Sequence, residues 1–588
     1  MRSGKKKLTL GILPTFLCLL SMLIVACGGG GSTGTTSNQA QKAADSKQVY
    51  VDAAPVAGLS DVKTLDPALD GDLYSANAIN MIYTGLVEFD DKLNVRDELA
   101  QSHSISSDGL TYTFKLRSNL KFSDGTALTS KDVLYSIDRA LQPATKSPVA
   151  GTYLNLVKDS DKLLNGKIKT IIGDSIVAPD DNTVVIKIVK KAAYFLNALT
   201  YQDAYVVEKS LIDQYGTRFV DHLGDGKGGG SGPFMIKQYT RGQQIVFVPN
   251  PYFYGNKPQL KEVIFPFYKD RDTLYKAYQT GVVDNTTVPS SHLAQAKQLT
   301  NEFHSTPQLA VSYYTMNYLV KPFDNIKVRQ AFALALNKDE IVHAVYKDTQ
   351  IATNHMVPKG MPGYYAGLKG PDGTQSTAGN PTLAKKLLTQ GLQEEGMTVA
   401  SLGTVSIYSS SAGSPDVRNE FATEQQMWQN ALGITVKFVD EDFNKLTSDT
   451  IAATGNPKGI AMWGIGWIAD YPDPQDFTTL QIDNGSPQNN QNYGQNNSAN
   501  SAAQKAVQQQ LEAADASSSA DRIQQYNTAE QSLINDVAWL PTFQQASQGL
   551  RKPCVVGVPD SANGQIYPVS WANIYISTDP TCANATVQ

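Results

Sequence analysis

The chain has 588 residues, 41% hydrophobic and 18% charged, a globular composition that excludes a disordered or fibrous protein and leaves room for several domains. Its formal charge of −5 includes Arg2, Lys5, Lys6 and Lys7; taking those four from the 50 basic residues leaves 46 against 55 acidic ones, or −9, which lacks the basic excess of a nucleic-acid binder. Tyr outnumbers Phe by 28 to 19, and a side chain with an apolar body and a polar tip suits a surface that binds something.

Residues 1–26 have a basic start and an apolar run from Leu8 to Ala26, the layout of an export signal. The end of that run, Leu23-Ile24-Val25-Ala26-Cys27, resembles the lipobox of bacterial lipoproteins, in which the Cys becomes the lipidated first residue. The competing reading is a transmembrane anchor, since about 19 apolar residues approach the roughly 20 that span a bilayer. The polar stretch that follows Cys27 at once favours lipidation. Residues 27–49 then read as a flexible tether of Gly, Ser, Thr, Asn and Gln, reaching roughly 25 Å from the membrane.

From Tyr50 the pattern becomes globular. Asp108-Gly109 turns the chain into Thr111–Arg117, whose strict alternation predicts a strand with Tyr112, Phe114 and Leu116 on one face. Thr129 and Asp132 form a capping-box start for a helix carrying Val133, Ile137, Ala140 and Leu141. Val328, Ala331, Phe332, Ala335 and Leu336 share a helical face, and Asn337 with Glu340 starts the next helix. Amphipathic helices are predicted near 382–391, 416–431 and 500–536, the last interrupted around Ser517–Ala520. The Gly, Asn and Gln run from Asn484 to Asn500 reads as a surface loop.

Apparent chemical motifs are mostly accidents of glycine content. Gly224–Gly229 fits G-x-G-x-x-G but precedes a strand instead of opening a helix, and Gly30-Gly31-Ser32-Thr33-Gly34 fits a hydrolase elbow inside the tether. The six His show no metal-ligand spacing, so no protein-built metal site and no cofactor is expected. Asp470, Asp473 and Asp476 miss the spacing of a calcium loop. A secreted hydrolase is the alternative function class, but carboxylates on one loop do not define a catalytic pair, and no catalytic residue is assigned. Cys554 and Cys582, an even pair in an exported chain, point to a disulfide, with two buried thiols as the other reading.

Gly464–Asp476 is the most distinctive stretch: an apolar strand empties into a loop stiffened by Pro472 and Pro474, which presents Trp467 and Asp470. In isolation, Trp467 reads as core and Asp470 as a turn cap. Other motifs change that weighting. Leu65-Asp66-Pro67, Tyr83-x-Gly85-Leu86, the Asp108–Arg117 strand, Ser231-Gly232-Pro233-Phe234, Asn250–Gly255, Pro322-Phe323-Asp324, Val328–Ala331 and Trp467-Ile468-Ala469-Asp470 together resemble the solute-binding proteins of peptide ABC importers. Ser147-Pro148 through Tyr153-Leu154 is similar to the oligopeptide-binding branch.

The resemblance implies an α/β, two-lobed periplasmic-binding-protein-like fold (type II, cluster C) with an extra subdomain inserted in the first lobe. Lobe I would comprise 50–86, 188–305 and 541–588, the insert 87–187, and lobe II 306–540. It implies that Asp470 meets a peptide α-ammonium, that Trp467 and the adjacent Gly466 lie beside the ligand backbone, and that Leu73, Tyr153 and Tyr313 line the cleft. The Arg that often precedes the motif Trp by three residues is here Gly464, which leaves carboxylate reading open. The expected partners are short peptides, an ABC permease with its ATPase and, through Cys27, the outer face of the cell membrane. The protein is expected to act as a monomer. A relative of the same fold taking an oligosaccharide or metal chelate is the other reading.

Overall fold

The computed structural model describes residues 40–226, 228–582 and 585–586; the signal segment, Cys27 and tether residues 28–39 lie outside them, whereas 40–49 are described, with a turn at Asp45–Lys47, buried Gln48 and a strand that opens at Val49. Three larger sheets organise the rest. Val49–Val51 pairs in parallel with Glu262–Pro266, which continues antiparallel to Gln244–Pro249 and Phe234–Thr240. A second, antiparallel sheet runs Ala100–Ile105, Thr111–Leu116, Thr183–Lys187, Ile176–Asp180. Here Tyr112, Phe114 and Leu116 are buried while Lys115 faces solvent, as a period of two dictates. The helix Ser130–Leu141 begins at the predicted Thr129/Asp132 capping box and seals this core with Val133, Ile137, Ala140 and Leu141.

The third sheet has seven strands, and two long ones form its spine. Phe303–Met316 lies between Leu540–Arg551 and Met462–Ile468, antiparallel to both, with register shifts against Leu540–Arg551 between Pro307 and Val311 and again at Ser312/Tyr313. Thr404–Ser409 and Thr435–Asp440 extend it on one side, Asn285–Thr287 and Ile351–Ala352 pair with Leu540–Arg551 on the other. Helices Ile326–Leu334, Pro381–Glu394 and Pro415–Leu432 supply its cover, and Ser501–Ala516 and Arg522–Asp536 are the two halves of the interrupted helical stretch.

Two of the motifs explain each other physically. Gly232 donates its N–H to the Ile82 carbonyl at 2.7 Å, and a Cβ at Gly232 would stand 2.5 Å from the Ile82 carbonyl carbon, so only glycine permits this approach. Asn250 in turn donates to the Gly232 carbonyl at 2.9 Å from full burial.

The Asn484–Asn500 run departs from a surface loop. Asn489, Gln491, Asn492, Tyr493 and Asn496 are buried. The side-chain amides are what make burial tolerable, because they satisfy backbone carbonyls and one another: Asn492 donates to Asn317 Oδ1 and the Ala453 carbonyl, Asn489 to the Ile482 and Tyr493 carbonyls.

Candidate ligand-binding site

The strand Met462–Ile468 is held on both sides, so the direction in which it releases the following loop is set by the sheet. Asp473, not Asp470, is the capping residue here: it accepts the Gln475 N–H at 3.0 Å at the start of Pro474–Phe477 and takes two bonds from Arg522, both 2.8 Å. The Asp470 carboxylate instead accepts the hydroxyl of Tyr153, from the short helix Ala150–Tyr153. Tyr153 stacks on Tyr201 with ring centres 3.9 Å apart and meets the Tyr471 ring edge-on. Trp467 donates its indole N–H to Asp476 Oδ2 at 3.1 Å, and the same oxygen accepts the Asp470 amide at 3.3 Å.

Asp476 is fully buried and its Oδ1 has no hydrogen-bond partner. Two further carboxylates approach from the packed short helices Pro67–Leu69 and Gln202–Ala204. Asp70 is buried with Oδ2 unpartnered, and Asp203 is buried with neither oxygen accepting a hydrogen bond. Among the described residues, none of Asp70, Asp203, Asp470 and Asp476 forms an ion pair with Lys, Arg or His. Burial pushes Asp470 up to about 7 against the opposing Tyr153 bond. Burial, then the neighbouring Asp470 charge, raises Asp476 well above the carboxylate range, and burial with the charges of Asp70 and Asp470 does the same for Asp203.

The other predicted positions fall into two cavities, about 420 and 390 Å³, which share Arg271, Thr287 and Gln545 to Ser547 as walls. Gly466 and Tyr313 line the first, with the Tyr313 ring stacked on Trp539 at 3.6 Å. Leu73, first residue of the helix Leu73–Ile82, lines the second. Trp467, Asp470 and Tyr153 line neither, so the predicted residues form one polar cluster and two separate cavity walls. The missing Arg has a steric counterpart: a Cβ on Gly464 would stand 2.4 Å from the Tyr314 ring, which occupies the space a longer side chain needs.

A family model described as "Bacterial extracellular solute-binding proteins, family 5 Middle" matches residues 94–489, more than half of the chain. The chain belongs to this family. Among curated relatives of this family 5 protein, a dipeptide-binding protein of Lactococcus lactis subsp. cremoris is 27% identical over 96% of this chain and 98% of its own length. The periplasmic oligopeptide-binding protein OppA of Escherichia coli is 27% identical over 85% of this chain and 88% of its own. Among solved structures, Haemophilus influenzae OppA in complex with RPPGFSPFR superposes with a TM-score of 0.74 at 22% identity, covering 91% of this chain and all of that one. The fold is therefore the two-lobed α/β fold of the periplasmic binding proteins.

In this family 5 chain, Asp70 and Asp203 carry no pattern that distinguishes them from turn residues, and Asp476 stands out only as part of a spacing that misses a calcium loop, so motif reading does not bring these acids together. Cys554 and Cys582 are joined as a disulfide with Cα atoms 5.6 Å apart. Asp284 lies beside both sulfurs, but sulfurs joined to each other are not thiolate ligands, and its carboxylate accepts the Val51 amide. Among the described residues no helix is long and apolar enough to cross a membrane.

Proposed function

We propose that this solute-binding protein captures short peptides between its two lobes and delivers them to an ABC permease and its ATPase. Asp470 holds the peptide α-ammonium and Trp467 lies beside the first peptide bonds. The observation that carries this reading is the set of carboxylates around Asp470 that have no basic partner: burial disfavours their ionised forms, and a ligand cation is what makes ionised Asp470 favourable there. Leu73, Gly466 and Tyr313 contact the rest of the ligand from the cavity walls. Lobes at 50–86, 188–305 and 541–588 and at 306–540, with 87–187 inserted, close about the long strands Phe303–Met316 and Leu540–Arg551, the second of which runs on past the 540/541 boundary. Lipidated Cys27 holds a monomer at the outer face of the membrane, and the protein performs no catalysis.

Two measurements test this. Mass spectrometry of ligand released by denaturing the purified protein is expected to find peptides, and an oligosaccharide or metal chelate there would overturn the assignment. Calorimetry is expected to show that N-acetylation of a peptide and Asp470→Ala each weaken binding by about 30-fold or more, and that the two losses are not additive. Additive losses, coupled by less than about 0.5 kcal/mol, would remove Asp470 from the ammonium site.

A further inference from the structure

The larger cavity has an acidic floor that the α-ammonium site does not use. Asp416, Glu420 and Glu424 stand at intervals of four on the helix Pro415–Leu432, hence on one face. Asp416 and Glu420 line the cavity of about 420 Å³. Glu420 is only 6% exposed, and its sole hydrogen-bond partner among the described residues is the Tyr346 hydroxyl. Behind it, fully buried Glu424 accepts the Tyr314 hydroxyl on one oxygen and nothing on the other. Asp416 accepts Ser290 Oγ at 2.6 Å. The single basic residue on the cavity wall, Arg271, is exposed, is shared with the second cavity and forms no ion pair with these acids.

We propose that this cavity is a subsite for a lysine or arginine side chain of the bound peptide, with Glu420 as its charge partner and Asp416 at its entrance. The assignment rests on the peptide reading above. The cavity wall mixes serine, threonine and tyrosine with apolar side chains such as Phe421, Phe443 and Leu446 above a buried carboxylate with one open oxygen, which suits a side chain with an apolar stem and a positively charged tip that donates hydrogen bonds. Tyr346 and Tyr314 hold the two glutamates in place without neutralising them, and burial raises both, Glu420 to about 7. The position along the peptide follows from the strand. Gly464 and Gly466 line the cavity six and four residues before Asp470, roughly 13–20 Å away at ~3.3 Å per residue, where the fifth to seventh residues of an extended peptide anchored at Asp470 would stand; a long lysine side chain reaches it from one or two residues earlier, at the third to sixth positions.

The test is calorimetry with C-terminally amidated alanine heptapeptides carrying one lysine, moved from position two to seven, each paired with norleucine at the same place. Wild type is expected to favour lysine by about tenfold or more at one position from the third to the sixth, and Glu420→Gln to abolish that preference while binding the norleucine peptides as before. Asp416→Asn, at a partly exposed position, is expected to reduce the preference and supplies the answer if Glu420→Gln does not fold. Peptides that bind with no lysine preference at any of these positions, or a preference that survives both substitutions, overturn the subsite alone. If no peptide binds, the peptide reading falls and the subsite with it.

Discussion

Tyr153 donates its hydroxyl to the carboxylate of Asp470, 317 residues further along the chain. The bond ties the segment that closes the Met462–Ile468 strand to the short helix Ala150–Tyr153, and it favours the ionised form of an acid that burial otherwise pushes toward neutrality. Tyr153→Phe removes that support, so the Asp470 carboxylate should titrate higher in the free protein. The expected result is weaker peptide binding at pH 7 and a binding–pH profile displaced upward; a profile identical to wild type would show that the bond does not poise Asp470.

In the proposed reading, in which Asp470 holds the α-ammonium, its position near 7 sets the pH dependence of capture. An α-ammonium pairs only with the ionised acid, so below pH 7 binding must first release a proton. Half the free protein is ready at pH 7 and about one part in a hundred at pH 5, so affinity should fall roughly fifty-fold between them, with close to one proton released at pH 5. Calorimetry in buffers of different ionisation enthalpy measures both. For the unliganded protein the sign is the reverse of an ordinary salt-bridged carboxylate: the folded chain binds the proton more tightly, so this group's contribution to stability is lost as pH rises from about 4 through about 7. Asp470→Asn should flatten that part of the stability profile.

Arg329 is completely buried and fully used. Its guanidinium donates to the Asp536 carboxylate at 2.5 Å, to the Asp536 carbonyl at 2.9 Å and to the Phe323 carbonyl at 2.8 Å, and lies 3.9 Å from the centre of the Tyr318 ring. Arg329→Met leaves the Asp536 carboxylate buried without its cation. A loss of about 3–5 kcal/mol is expected from denaturant melts, with peptide affinity of the folded fraction unchanged.

The Cys554–Cys582 bond closes a 28-residue loop against the core that includes Trp571 and Ile574. Chain entropy assigns such a crosslink about 3–4 kcal/mol. Non-reducing peptide mapping should recover the two cysteines linked, and Cys554→Ala with Cys582→Ala should lower stability by that order without changing peptide affinity; two free thiols that alkylate in the native protein would remove the bond.

Local pattern was legible wherever neighbours in sequence do the work. The alternation of Tyr112, Phe114 and Leu116, the Thr129 and Asn337 caps and the break near Ser517–Ala520 all appear in the structure because strand and helix periods and capping bonds act over four residues or fewer. The ordered motifs from Leu65-Asp66-Pro67 to Trp467–Asp470 were enough to indicate the family and its fold. What only the tertiary structure decided is which acids meet. Asp473 caps and Asp470 does not, Asp70 and Asp203, 133 residues apart, come close to Asp470, and the Tyr314 ring fills the space beside Gly464. Charge and desolvation act through space, and the distance between two carboxylates depends on how sheets and short helices pack, so no spacing along the chain carries that information.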